Sequence, residues 1–175
     1  TYETEIPFTF FVSPDAEISS YPLSLYVAAD GGYERVFDLD FLVSLNQENF
    51  PVNLSGQVKG VPVVVDYDMD GDNEVFIGDY LGIVHKYDSN GVEDVSGIFP
   101  YDMGDQIWGS LSTADIDGDS YPDILVSSKS KHLVAFDMNG EIKFDYDAGS
   151  WLMGAPAVGQ LDLDPELEIV VGGYS

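Results

Sequence analysis

Between residues 63 and 79 the chain reads VVVDYDMDGDNEVFIGD, which sets acids at Asp66, Asp68, Asp70, Asp72 and Glu74. Unit charges held about 4 Å apart repel by about 4 kcal/mol per pair at a surface-like dielectric, so something positive belongs among them. Alternate side chains of a tight loop can point to one centre, and hard oxygens at that spacing suit calcium, which takes about six to eight such ligands. The predicted ligands are the side chains of Asp66, Asp68 and Asp70, the backbone carbonyl of Asp72 and the carboxylate of Glu74, with Gly71 permitting the sharp turn.

The loop recurs in register. VPVVVDYDMDGDNEVFIG from Val61 aligns with SLSTADIDGDSYPDILVS from Ser110 and APAVGQLDLDPELEIVVG from Ala155. The second copy predicts Asp115, Asp117, Asp119, the carbonyl of Tyr121 and Asp123 as ligands. In the third, the same positions hold Gln160, Asp162, Asp164, Glu166 and Glu168, and Pro165 stands where the others have Gly71 and Ser120. An amide brings no charge, so two calcium sites are expected to fill, with the third weaker or empty. An EF-hand needs a carboxylate at its twelfth loop position and flanking helices; here that position is Ile77 or Val126, between β-branched runs. Magnesium, which prefers a small octahedron and keeps its water, suits the loops less well.

The elements that must hold these loops are short strands. Gly60, Gly109 and Gly154 each precede the first ligand position by six residues, and Asp66 and Asp115 lie 49 residues apart. Each full copy continues into a hairpin with an Asn-Gly turn, YDSNG (87–91) and FDMNG (136–140). Four short strands at this period fit one propeller blade. The expected fold is therefore all-β: a partial β-propeller of about two and a half four-stranded blades at 56–104, 105–149 and 150–175, the last incomplete. Residues 1–45 alternate at Phe8, Phe10 and Val12, at Leu23, Leu25 and Val27, and at Phe37, Leu39, Phe41 and Val43, with turns at SPDAEISSYP and ADGGYE. Three such strands make part of a β-sandwich. The polar stretch 46–55 reads as a linker.

Composition narrows the partners. With 6 Lys+Arg against 32 Asp+Glu, nucleic acid and anionic membrane surfaces are excluded as partners. There are no cysteines, hence no disulfides or thiolate zinc sites, and the apolar runs are too short to span a bilayer. The start TYETEIPFTF lacks a signal-peptide pattern, and the chain reads as a piece of a longer protein. His85 and His132 fall at different positions of the repeat and do not suggest a catalytic pair; no GxSxG or HExxH motif occurs. Trp108 and Trp151, before an inner strand of the second and third copies, are read as packing between repeats, with a sugar-stacking platform as the other use of such aromatics.

Residues 56–175, through DYDMDGDNE, DIDGDSYPD and MGAPAVGQLDLDPELEIVVGG with its literal Gly154-Ala155-Pro156, resemble the FG-GAP family of calcium-loop propeller repeats, often described as VCBS-type. Gln160 and the missing glycine after Asp164 depart from its pattern. FTFFVSPDA and LYVAADGGY are similar to the end of an immunoglobulin-like accessory domain of secreted bacterial proteases. The resemblance implies a non-catalytic, secreted or cell-surface scaffold or adhesion module, bacterial in origin, that presents loops to a protein or glycan ligand. The alternative it implies is the accessory region of a secreted protease or polysaccharide-degrading enzyme.

Overall fold

The structure is a computed structural model that describes residues 11–13, 15–44 and 49–174. Among these the regular elements are all strands, and no helix is long and apolar enough to cross a membrane. Two compact units divide between Gln47 and Glu48.

In the first unit β1 (Ser19–Ala29) and β2 (Tyr33–Val43) form one antiparallel hairpin, in unbroken register from Ser19 opposite Val43 to Ala29 opposite Tyr33. The turn at Asp30 is closed by Gly31 and Gly32, whose φ values of +93° and +84° favour glycine. Apolar pairs line one face: Tyr21 with Phe41, Leu23 with Leu39, Leu25 with Phe37. The Ser24 hydroxyl donates to Asp38 on the other, at 2.7 Å. β1 begins at Ser19, inside a stretch read from sequence as a turn. Pro22 lies opposite Asp40 in this ladder. Of the expected first strand, Phe8 and Phe10 lie outside the described residues and Val12 precedes β1; residues 46–48 of the expected linker also lie outside them.

The second unit repeats one pattern. The strands β3 (Val63–Val65), β4 (Glu74–Gly78), β5 (Ile83–Tyr87) and β6 (Tyr101–Asp102) form a four-stranded antiparallel sheet in that order. The strands β7 (Ser112–Ala114), β8 (Asp123–Ser127), β9 (His132–Phe136) and β10 (Ile142–Asp147) form a second sheet of the same order. A third copy contributes β11 (Trp151–Leu152), β12 (Ala157–Gly159), β13 (Glu168–Val170) and β14 (Gly173–Tyr174), pairing as β12 with β13 and β11 with β14. The Asn-Gly turns close as the sequence suggests, with Gly91 at φ +75° and Gly140 at +77°. Asp88 and Asp137 cap them, each accepting two backbone N–H groups at 2.8–2.9 Å.

The fourth strand of the first sheet is interrupted. Glu93 bridges Tyr87 and the Asp94 N–H reaches the Lys86 carbonyl, after which the chain leaves and returns as β6. The excursion buries Phe99, whose ring lies 5.4 Å from Phe76 of the first sheet and 5.2 Å from Phe136 of the second. Around them Tyr67, Val84, Ile107, Leu111, Ile124, Val126 and Val134 complete one core drawn from both sheets.

Successive copies meet backbone to backbone at the register glycines. A Cβ on Gly60 would lie 2.4 Å from the Gly109 carbonyl oxygen, and one on Gly109 would lie 2.6 Å from the Gly154 carbonyl carbon. Only hydrogen fits there. The lead-in segments tie the copies further, with the Ile107 N–H donating to Asp79 and the Leu152 N–H to Ser128, both at 3.2 Å.

Candidate metal centres

Each acidic loop joins two strands that pair with each other, β3 with β4, β7 with β8 and β12 with β13, and the strand ladder closes it. Val65 pairs with Glu74, Ala114 with Asp123 and Gly159 with Glu168. The ninth loop position is thus the first residue of the returning strand, opposite the residue just before the first ligand. Cross-strand pairing brings the two ends of each loop together, which accounts for a fixed acid at that distance.

In the first loop, oxygens of Asp66, Asp68 and Asp70 converge within 4.8 Å of one another. Asp66 Oδ2 accepts the Gly71 N–H at 3.1 Å, but its Oδ1 is buried and has no hydrogen-bond partner. Asp68 and Asp70 accept the N–H groups of Asp70 and Asp72. Glu74 is buried, and its Oε2 accepts the Tyr67 N–H at 2.9 Å. Burial raises its pKa; the Tyr67 N–H opposes this and the charge of Asp68 adds to it. Left-handed backbone occurs at Met69 (φ +61°) and Gly71 (φ +99°).

The second loop brings together Asp115, Asp117 and Asp123, again within 4.8 Å. Left-handed residues fall at the same fourth and sixth positions, here Gly118 (φ +79°) and Ser120 (φ +74°), so each loop places glycine at only one of the two. Both oxygens of Asp115 are used by backbone: Oδ1 by the N–H groups of Gly118 (2.7 Å) and Asp119 (3.1 Å), Oδ2 by that of Ser120 (2.9 Å). Asp119 accepts the Tyr121 N–H at 2.9 Å. Asp123 is buried; Oδ2 accepts the Ile116 N–H at 2.9 Å, and Oδ1 accepts a bond from the Lys143 ammonium at 2.7 Å. Lys143 also lies 2.7 Å from Asp117 Oδ2 and 3.7 Å from Asp119 Oδ2. Burial raises the pKa of Asp123, and the lysine bond lowers that of Asp117. Burial pulls Lys143 down, but its bonds to Asp117 and Asp123 outweigh this and hold it above the ordinary lysine range.

In the third loop Asp162, Asp164 and Glu168 converge. Gln160 is both donor and acceptor: its Nε2 donates to the carbonyls of Asp164 and Glu166, the latter at 3.0 Å, and its Oε1 accepts the Asp162 N–H. An amide donor therefore points at the loop's own carbonyls. Pro165, with φ fixed near −65°, cannot adopt the left-handed sixth position of the other loops.

Of the sequence-predicted ligands, Asp66, Asp68, Asp70, Asp115, Asp117, Asp123, Asp162, Asp164 and Glu168 fall into the three convergent groups. Glu74 and Asp119 adjoin theirs through the contacts given above. Asp72, Tyr121 and Glu166 were expected as seventh-position ligands; the contacts seen at them are N–H bonds back to Asp70, Asp119 and Asp164, and the Gln160 bond to the Glu166 carbonyl. Two contributors were not foreseen. Lys143 reaches the second loop from β10, and Asp79, fully buried, accepts the N–H groups of Leu81 and Ile83 to cap the β4–β5 turn.

His85 and His132 lie in different sheets, each paired with a carboxylate: His85 Nδ1 with Glu93 at 2.6 Å, His132 with Asp145. Trp108 stacks on Tyr80, and Lys129 sits over both Trp108 (5.3 Å) and Trp151 (4.8 Å), which itself stacks on Tyr174. This aromatic and lysine ladder joins one copy to the next, the packing role read from sequence.

The profile of the FG-GAP repeat matches residues 108–131, from Trp108 through β7, the whole second loop and β8 to the turn before β9. No curated protein matches the chain.

Proposed function

From the FG-GAP match we propose that residues 56–175 are calcium-binding propeller blades and that the chain is an extracellular, non-catalytic scaffold presenting loops to a protein or glycan partner. One observation carries the metal reading: Asp66 Oδ1, a carboxylate oxygen buried without a partner inside a convergent group of acids. Leaving such a group unsatisfied costs about 1–3 kcal/mol or more, and a hard cation satisfies it while cancelling the repulsion among its neighbours. Asp66, Asp68, Asp70, the Asp72 carbonyl and Glu74 would hold calcium in the first loop. Asp115, Asp117, Asp119, the Tyr121 carbonyl and Asp123 would do so in the second. Gln160 makes the third loop the weakest. What the bound ion supplies is rigidity, fixing each loop against the strand pair that closes it.

The non-catalytic reading is supported by the two histidines lying in different sheets, His85 in β5 and His132 in β9, so that they form no pair. Metal analysis together with melting curves in calcium and in chelator tests the proposal. A site held at one hundred times its dissociation constant adds about 2.7 kcal/mol, so the midpoint should rise by several degrees in calcium. An unchanged midpoint with no calcium found would refute it.

A further inference from the structure

We infer that Lys143 is the resident cation of the second loop, so that the chain itself supplies positive charge among these acids and a divalent ion enters only by displacing the ammonium. The inference rests on the calcium reading for the loops as a class, and refines it by making the first and second sites unequal.

Three features of the fold converge on Lys143. The β9–β10 ladder slips by one residue between Ile142, opposite Phe136, and Phe144, opposite Ala135, which leaves Lys143 as the extra residue of a β-bulge. Bulges re-aim a side chain, and this one aims the ammonium into the acids, 2.7 Å from both Asp117 and Asp123. The first ligand position, Asp115, has both oxygens committed to backbone N–H groups, whereas its counterpart Asp66 keeps one oxygen unpartnered. Finally, the position equivalent to Lys143 in the first copy is Asp94, an acid. The nearby Lys86 turns to that aspartate at 3.0 Å and to the Tyr67 ring at 5.3 Å. Among the described residues no ammonium lies within ion-pair distance of Asp66, Asp68, Asp70 or Glu74.

The energetic consequence follows from competition. An ammonium carried on a neighbouring strand is always present, and an ion that binds only the fraction of molecules with the lysine withdrawn has its dissociation constant raised by the inverse of that fraction. If one molecule in a hundred is open, the loss is about a hundredfold.

Calorimetric titration of the full chain with calcium chloride tests this, using wild type, Lys143→Met, Asp66→Asn to silence the first loop, and the double variant. We expect the double variant to bind calcium in the second loop at least about tenfold more tightly than Asp66→Asn alone, for the reason just given. In chelator, Lys143→Met should melt below wild type, and calcium should close the gap. A measurement on the unaltered protein guards against a variant that does not fold. With an amine-reactive ester and mass spectrometry, Lys143 should label far more slowly in chelator than the exposed Lys131. Equal second-loop affinities with and without Lys143, or Lys143 labelling as fast as Lys131, would overturn the inference. If no variant binds calcium, the calcium reading falls; a lower melting point of Lys143→Met in chelator, with Lys143 protected, would still support the resident lysine, and no difference in either would dispose of it.

Discussion

Replacing Gly109 by alanine tests the packing between successive copies. The added Cβ would sit 2.6 Å from the carbonyl carbon, 2.7 Å from the oxygen of Gly154 and 2.8 Å from the nitrogen of Ala155, where ordinary contact begins at 3.4 Å. All three atoms are backbone, so no side chain can swing aside; the third copy must retreat by about 0.8 Å, and overpacking of this order costs about 1–3 kcal/mol. At about 4 °C per kcal/mol for a unit of this size, Gly109→Ala should melt about 4–12 °C below wild type. Gly60→Ala, with its Cβ 2.4 Å from the Gly109 oxygen, should behave alike. The control is Gly159→Ala in β12, where a Cβ meets nothing within 4 Å; alanine in a strand there should change stability by less than about 1 kcal/mol. Circular-dichroism melting in saturating calcium keeps metal linkage constant across the set. Gly109→Ala melting level with Gly159→Ala would show that the copies do not meet at this seam.

Three further predictions concern the core, one cross-copy bond and one titration. Phe99→Ala removes the ring wedged between Phe76 and Phe136 and should cost about 3–5 kcal/mol, measurable by urea unfolding. Tyr67→Phe deletes the phenol bond to the Asp137 carbonyl, which links the first acidic loop to the turn of the next copy; by the same assay it should lose about 1 kcal/mol. Hydrogen bonding to Asp145 raises the pKa of His132 above its unfolded value, so this pair stabilises fully below about pH 6.5 and its contribution fades as pH rises through the folded pKa. His132→Gln should therefore melt slightly lower than wild type at pH 5.5 and level with it at pH 8.5; an equal difference at both would disprove the assignment.

Much of this arrangement was legible in the sequence because it depends on short-range spacing. The alternation of acids within each loop, the fixed ninth carboxylate and the Asn-Gly turns are local features, and the ladder pairs Val65–Glu74 and Ala114–Asp123 realise them directly. The register glycines were visible as a pattern, but their reason was not, since Gly60 and Gly109 meet across 49 residues of chain. Lys143 was missed for a similar cause: it reaches Asp123 from another strand through a one-residue slip that composition does not announce. Aspartates that cap turns could not be told by type alone from those that converge in the acidic loops. Asp79, Asp88 and Asp137 carry the same side chain as Asp66, and what sets Asp66 apart is its buried, unpartnered Oδ1, which only the folded chain reveals. The interrupted strand before β6 escaped notice because a long-range need for Phe99 in the shared core outweighs local strand continuity.

The most direct test of the account is a crystal structure grown in calcium and measured with anomalous scattering at the turn beginning with Asp66. A calcium peak held by Asp66, Asp68, Asp70, the Asp72 carbonyl and Glu74 at about 2.3–2.6 Å is the predicted result. A water there at ordinary hydrogen-bond distances of about 2.7–3.0 Å, with no anomalous signal, would contradict it.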